Sequence, residues 1–206
     1  MNFLDWRTEL RAMYARNVPS LGVACLNYEE PFGTFVDYAE AYRDAARILV
    51  REFDVKHGIY SDYEVCPILF LYRHACELMA KAVAIEAALI RKNSLPEAFS
   101  SNPQMKNHSL SSLRPLVEKA AELADFQPES LHVTLDWPDT FDEMYRYINQ
   151  EDPKSFTHRY PVDTKGKESV KPHHHVHIFH YTLRAESLLE GLGELHFRLI
   201  QQESVN

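Results

Sequence analysis

The feature that most constrains this chain is the run from Tyr63 to Asn93, where apolar residues fall on nearly every side of a helix. Val65, Ile68, Leu69, Tyr72, Cys76, Met79, Ala80, Val83 and Ile90 recur at three- and four-residue steps and make one broad face. Phe70, Leu71, Leu78, Ala82, Ile85 and Leu89 carry apolar surface further round. A helix with so little polar surface needs neighbours on several sides, which predicts the central element of an all-α helical bundle. Pro67 stands near its start, where a missing N–H costs little. Ser61 or Asp62 is the expected cap. Charges interrupt the run before it reaches the roughly 18 apolar residues of a membrane span.

Those interruptions are regular. Arg73, Glu77 and Lys81 stand at i, i+4 and i+8, so they share one stripe of the helix. Two readings stay open. The stripe is a structural ion-pair ladder at a seam between helices, or it lines a polar pocket inside the bundle. Both need partners, because charge in a largely buried helix is costly. His74 points about 100° away from Arg73 and reads as a partly buried, satisfied imidazole.

Other segments supply the neighbours. Leu4 to Arg16 reads as a short helix and Asn17 to Pro31 as a connection, so residues 1–30 form an N-terminal helical arm and residues 31–206 the bundle. Phe35 to Phe53 is amphipathic, with Phe35, Tyr38, Ala39, Tyr42, Ala45, Ala46, Leu49, Val50 and Phe53 in register. Ser109 to Ala124 and Thr140 to Asn149 are further helices, with Asn107 or Ser109 and then Asp139 as caps. A long polar connection, Gln150 to Pro172, precedes a last helix from about His174 to Gln202. That gives about four main helices plus short peripheral ones, and no strand alternation.

Composition narrows the function classes. Only 6 glycines occur, which argues against a fold of many tight turns and a glycine-rich phosphate loop. A formal net charge of −8 lacks the basic surface of a nonspecific nucleic-acid binder. Cys25, Cys66 and Cys76 are odd in number and form no C-x-x-C pair. Cys66 and Cys76 read as buried small hydrophobes, and a reducing cytoplasm is expected. The start, MNFLDWRTEL, does not read as a signal peptide.

Three further groups could carry chemistry. His173, His174, His177 and His180 are spaced so that a helix would put imidazoles on one face, where Zn²⁺, Ni²⁺ or Cu²⁺ could bind. The rival reading is adventitious surface binding. Asp152, Arg159, Tyr160 and Asp163 occupy the long connection; Arg159 suits bidentate recognition of phosphate or carboxylate, or Phe156 and Tyr160 simply pack the loop down. His108 opens a helix, whose start can attract anions, or it is a structural turn residue.

Leu69-Phe70-Leu71-Tyr72-Arg73-His74-Ala75-Cys76-Glu77-Leu78-Met79-Ala80-Lys81 resembles the long central helix of HEPN-like proteins. His108-Ser109-Leu110-Ser111-Ser112-Leu113 resembles the H-x-L-x-x-L that opens their next helix. Phe156-Thr157-His158-Arg159-Tyr160-Pro161-Val162-Asp163, then Gly166, is similar to an F-R-Y-P-x-D-x-x-G connection of bacterial members. The resemblance spans roughly residues 35 to 203. It implies a four-helix bundle, often a homodimer, acting in toxin–antitoxin, abortive-infection and other phage-defence systems. Many such proteins are metal-independent RNases with an Arg followed, after four to six residues, by a His. The pair at that spacing here, Arg51 and His57, precedes the central helix.

The resulting expectation is an RNA- or nucleotide-directed protein without a cofactor, with a second copy or another protein as partner. Its candidate catalytic residues are Arg73, His74, Glu77, His108 and Arg159, and its ligand contacts Arg73, Lys81, Arg159 and Tyr160. The alternatives are a non-catalytic ligand- or protein-binding module and a metal-binding protein built on His173, His174, His177 and His180.

Overall fold

A computed structural model of the chain describes residues 8–9, 11–13, 34–55, 62–91, 102–127, 141–153, 155, 157–163, 165–171 and 173–203. Cys25, His57, Ser61, Asp139 and Phe156, each named above, lie outside them. The chain divides into two compact units, Met1–Pro31 and Phe32–Asn206. In the first, the described residues 8, 9 and 11–13 are helical.

The second unit is an all-α bundle. Its described helices are α1 (Thr34–Val55), α2 (Val65–Ile90), α3 (Leu110–Leu123), α4 (Phe141–Glu151) and α5 (Ile178–Glu203). Short 3₁₀ turns at Asp62–Glu64 and Pro103–Lys106 lead towards α2 and α3. No strand occurs among the described residues beyond an isolated bridge between Val162 and Glu168.

Helix α2 is central, as its apolar girth predicts. It packs against α1, α3 and α5, and α4 packs against α5. Ile68, Leu69, Tyr72, Ala75, Cys76, Met79, Ala80 and Val83 are buried along it. Leu110, Leu113 and Val117 of α3 and Leu188, Leu192, Leu195 and Leu199 of α5 complete the core. Cys76 is fully buried, and burial pushes its thiol up to about 12, so it packs as a small hydrophobe. No described helix is long and apolar enough to cross a membrane.

Several details differ from expectation. Asp62 does not cap α2; the chain enters through a 3₁₀ turn and Glu64 takes the cap position with no side-chain hydrogen bond. Helix α5 begins at Ile178 rather than near His174. His173 has φ +57 and the His174 N–H bonds the Lys171 carbonyl, so the histidine run is a turn leading into the helix. Tyr38 and Leu49, in the apolar register of α1, lie exposed, as do Phe179 and Leu183 of α5.

Candidate functional site

The polar stripe of α2 is the heart of a buried cluster that draws in two other segments. Arg73 has no solvent exposure, and Glu77 is 1% exposed. Arg73 donates from Nε to the Asp152 carbonyl at 2.9 Å and from Nη1 to Glu77 Oε2 at 2.9 Å. Its Nη2 donates to the His108 carbonyl. One guanidinium therefore clamps the central helix to the start of α3 and to the end of α4. The rigid fork of arginine suits this better than an ammonium would.

Glu77 gathers the remaining charge. Lys81 Nζ lies 2.8 Å from Oε1, and His108 Nδ1 lies 2.9 Å from that same oxygen. Burial opposes ionisation of Glu77, but the Lys81 hydrogen bond and the charges of Lys81 and Arg73 outweigh it, so the carboxyl sits below its ordinary range. An ionised carboxylate only accepts hydrogen bonds. The His108 ring must therefore carry a proton on Nδ1 to make this contact.

His108 is the member of the cluster that reaches water. Its side chain is 61% exposed. It lines an open cleft of about 690 Å³ together with Pro103, Lys106, Asn107, Ser109 and Pro153. The adjacent helix start is already engaged. Ser109 takes the cap position of α3 without a side-chain cap bond, while Asn107 Oδ1 accepts the Ser109 N–H at 3.0 Å. Asn149 of α4, rather than Ser109, accepts the Ser111 N–H at 3.1 Å.

His74 flanks the other side of Glu77. Its Nδ1 stands 4.0 Å from Glu77 Oε2, too far for a hydrogen bond. Its ring is held edge-on by Tyr42 at 4.6 Å and stacked on Phe70 at 5.5 Å. Burial, aided by the charges of Arg73, Lys81 and Arg159, lowers its pKa against the pull of Glu77, which favours a neutral ring. Arg159 covers Phe70, its guanidinium carbon 5.3 Å from that ring and 5.7 Å from the exposed Tyr160 ring.

The long connection is folded by its own side chains. The buried Asp152 accepts the Thr157 N–H through Oδ1 at 3.0 Å. Asp163 Oδ1 accepts the N–H groups of Lys165 and Lys167, and its carbonyl accepts that of Gly166, whose φ of +74 only glycine adopts freely. Asp163 and Gly166 thus shape the turn beyond Arg159 and Tyr160.

The structure therefore brings Arg73, Glu77, Lys81 and His108 into one hydrogen-bonded cluster, with His74 beside it. Arg73 and Lys81 face inward and are engaged, so the ladder reading describes those two. Arg159 and Tyr160 stand on the outer edge of the same helix. The histidine run is not drawn together: among the described residues, no three His, Cys, Asp or Glu side chains form a group able to hold a cation. His177 and His180 stack at 3.9 Å, and His174 Nε2 lies 2.8 Å from Glu151 Oε2.

A second charge cluster escaped sequence reading. Glu186 of α5 accepts from Arg43 Nε at 2.8 Å, Arg47 Nε at 2.8 Å and the Tyr72 hydroxyl at 2.8 Å. The available signal was Arg43 itself, which falls in register with Ala39, Ala46 and Val50 on the inward face of α1.

No protein-family model, curated protein or solved structure matches the chain. Fold and site together define an all-α bundle that buries an ion-pair clamp beneath a cleft edged by His108.

Proposed function

We propose that the chain acts on RNA or a nucleotide, with His108 as an acid–base group oriented by Glu77, in the toxin–antitoxin or phage-defence setting that the resemblance to HEPN-like proteins implies. The observation that carries this reading is the His108–Glu77 contact: Nδ1 is held at 2.9 Å by a buried carboxylate while the ring stays open to the cleft. A histidine fixed through one nitrogen leaves the other, Nε2, free to take or give a proton.

On an RNA strand, Nε2 would accept the proton of a 2′-hydroxyl as that oxygen attacks the adjacent phosphorus. The bond from phosphorus to the 5′-oxygen breaks, that oxygen takes up a proton, and a 2′,3′-cyclic phosphate and a 5′-hydroxyl result. Lys106 on the cleft wall offers an ammonium to the charge that builds on the phosphoryl oxygens. Arg73 and Lys81 act through Glu77, keeping it ionised and in place.

His108→Ala is a clean test, because Arg73 binds the backbone carbonyl of residue 108 and the substitution removes only an exposed side chain. Cleavage of RNA by purified protein should fall by about 10² to 10⁴-fold, the usual worth of a general acid or base. Intact RNA after incubation with wild-type protein would sink the enzymatic form.

A second reading has its own support. Arg73 spends donors on Asp152, Glu77 and His108, and Lys81 is satisfied by Glu77, so the cluster is complete as a fold element. The chain would then be a non-catalytic module that binds a ligand or protein at the same cleft. RNA left uncleaved but bound, with binding lost in His108→Ala, would select it.

A further inference from the structure

We propose that Arg159 and Tyr160 form a second subsite for the same RNA, holding a phosphate and a base beside the His108 end. That the ligand is RNA rests on the proposed function; the subsite is argued from residues other than His108.

Phe70, His74 and Glu77 stand at i, i+4 and i+7 of α2, so they follow one side of that helix over about 10 Å. His108 contacts Glu77 at one end of this ridge. Arg159 covers Phe70 at the other end. Between them His74 stacks on Phe70 and leaves 22% of its side chain open. Measured along α2, the His108 and Arg159 ends are thus about 10 Å apart, a span suited to neighbouring nucleotides.

The chemistry of the far end points to a nucleic acid. Arg159 is exposed, and the two rings fix where its guanidinium lies. Arg43, Arg47, Arg114 and Arg198 each hold a carboxylate. Arg159 holds none among the described residues, so its fork is open to an incoming oxyanion and prepared for two parallel hydrogen bonds. Tyr160 beside it is 51% exposed. A cation and an accessible ring side by side are what a phosphate with its attached base requires. The net charge of −8 repels long polyanions, so recognition falls to such defined contacts on a short single strand.

The probe is a 2′-O-methyl hexaribonucleotide with a 5′ fluorophore, which has no 2′-hydroxyl to deprotonate and so reports binding alone to the full wild-type chain. Its affinity is followed by fluorescence anisotropy across a salt series. Arg159→Ala should weaken binding at least tenfold and lower the salt slope by about 0.7, the contribution of one single-strand phosphate. Arg159→Lys should recover only part of the affinity. Tyr160→Ala should weaken binding about tenfold, within the usual worth of one stacked base. Thermal melts of each variant should match wild type, since both side chains are exposed. No wild-type binding at 100-fold excess of protein over probe, or unchanged affinity in both Arg159→Ala and Tyr160→Ala, overturns the subsite. Cleavage that depends on His108 but keeps its KM in Arg159→Ala would retain the acid–base reading and remove this one.

Discussion

Two carboxylates in this bundle each gather partners from more than one segment, and the partners differ in kind. Glu186 is bound by Arg43 and Arg47 of α1 and by the Tyr72 hydroxyl of α2. Its cluster ties three helices together at a partly exposed seam, with side chains 10% exposed at Arg43, 37% at Arg47 and 19% at Glu186. Glu77 is 1% exposed and draws Lys81 and Arg73 from its own helix, yet passes one contact outward to His108 at a cleft. The first cluster runs on through Arg43 and Arg47 to Glu40, Glu190 and Asp44, whose side chains reach the surface. The second connects the core to the surface. Neither ionic content nor the exposure of an outer member separates a structural lock from a candidate site; the second cluster differs because its outer member is an imidazole, able to take and give a proton, at a cleft.

The largest test of that contrast is removal of the buried cation. Arg73→Ala leaves Glu77 short of a partner and two backbone carbonyls without their donor. A cost of about 3–5 kcal/mol is expected, as for other broken buried pairs. Glu186→Gln should cost less, about 1–2 kcal/mol, because water reaches Arg47 and can solvate what is left. Urea unfolding of both variants checks the order, and a larger loss in Glu186→Gln would reverse the assignment of which cluster holds the fold.

Acid is a gentler probe, because it leaves every side chain in place. Burial lowers the pKa of His74, His158 and His196 below the ordinary 6.5. Between the lowered folded values and 6.5, the unfolded chain binds more protons than the folded one. Stability is therefore full above about pH 6.5 and declines as pH falls through that window. Glu77 and Glu186 also have lowered values, so their contribution persists until pH falls below the ordinary 4.5. Two successive declines in the urea midpoint are expected, and His74→Asn should shrink only the first. A midpoint that does not move between pH 7 and 5 would contradict neutral buried imidazoles.

These effects also show what the sequence carries and what it leaves out. Arg73, Glu77 and Lys81 were legible as a set because helical spacing is local, and so was the central place of α2. His108 was legible as a candidate companion and does meet Glu77, but the carbonyls of residues 108 and 152 that hold Arg73 were not, since backbone acceptors have no sequence signature. Glu186 was missed for the same reason: its cations lie 139 and 143 residues away, and nothing local ties them to it. The histidine run misled in the other direction. Its spacings imply a shared face only on a helix, and with His173 left-handed and the helix starting at Ile178, only His180 of the run lies on α5. Arg159 was visible as a residue type, but its place over Phe70 depends on a connection folded by Asp152 and Asp163.

Tyr72→Phe separates hydrogen bonding from charge at the Glu186 cluster. The ring is fully buried and would keep its packing, while the bond to Glu186 at 2.8 Å is lost. Glu186 keeps both arginines, so the expected cost is about 1 kcal/mol. A loss as large as that of Glu186→Gln would mean that the hydroxyl, rather than the guanidinium pair, organises this seam.

The smallest effect is the most telling for the Glu77 cluster. His108 is bonded to Glu77 through Nδ1 but is 61% exposed, and Glu77 retains Lys81 and Arg73 when the imidazole is gone. An ion contact of that exposure is worth little to folding, so His108→Ala should change stability by no more than about 0.5 kcal/mol. A residue that contributes so little to the fold, while being held by the most buried carboxylate of the cluster, is placed for what happens in the cleft. If urea unfolding instead shows a loss near that of Arg73→Ala, the imidazole belongs to the clamp. The two clusters would then differ only in burial, and the case for acid–base chemistry at the cleft would fall with the contrast.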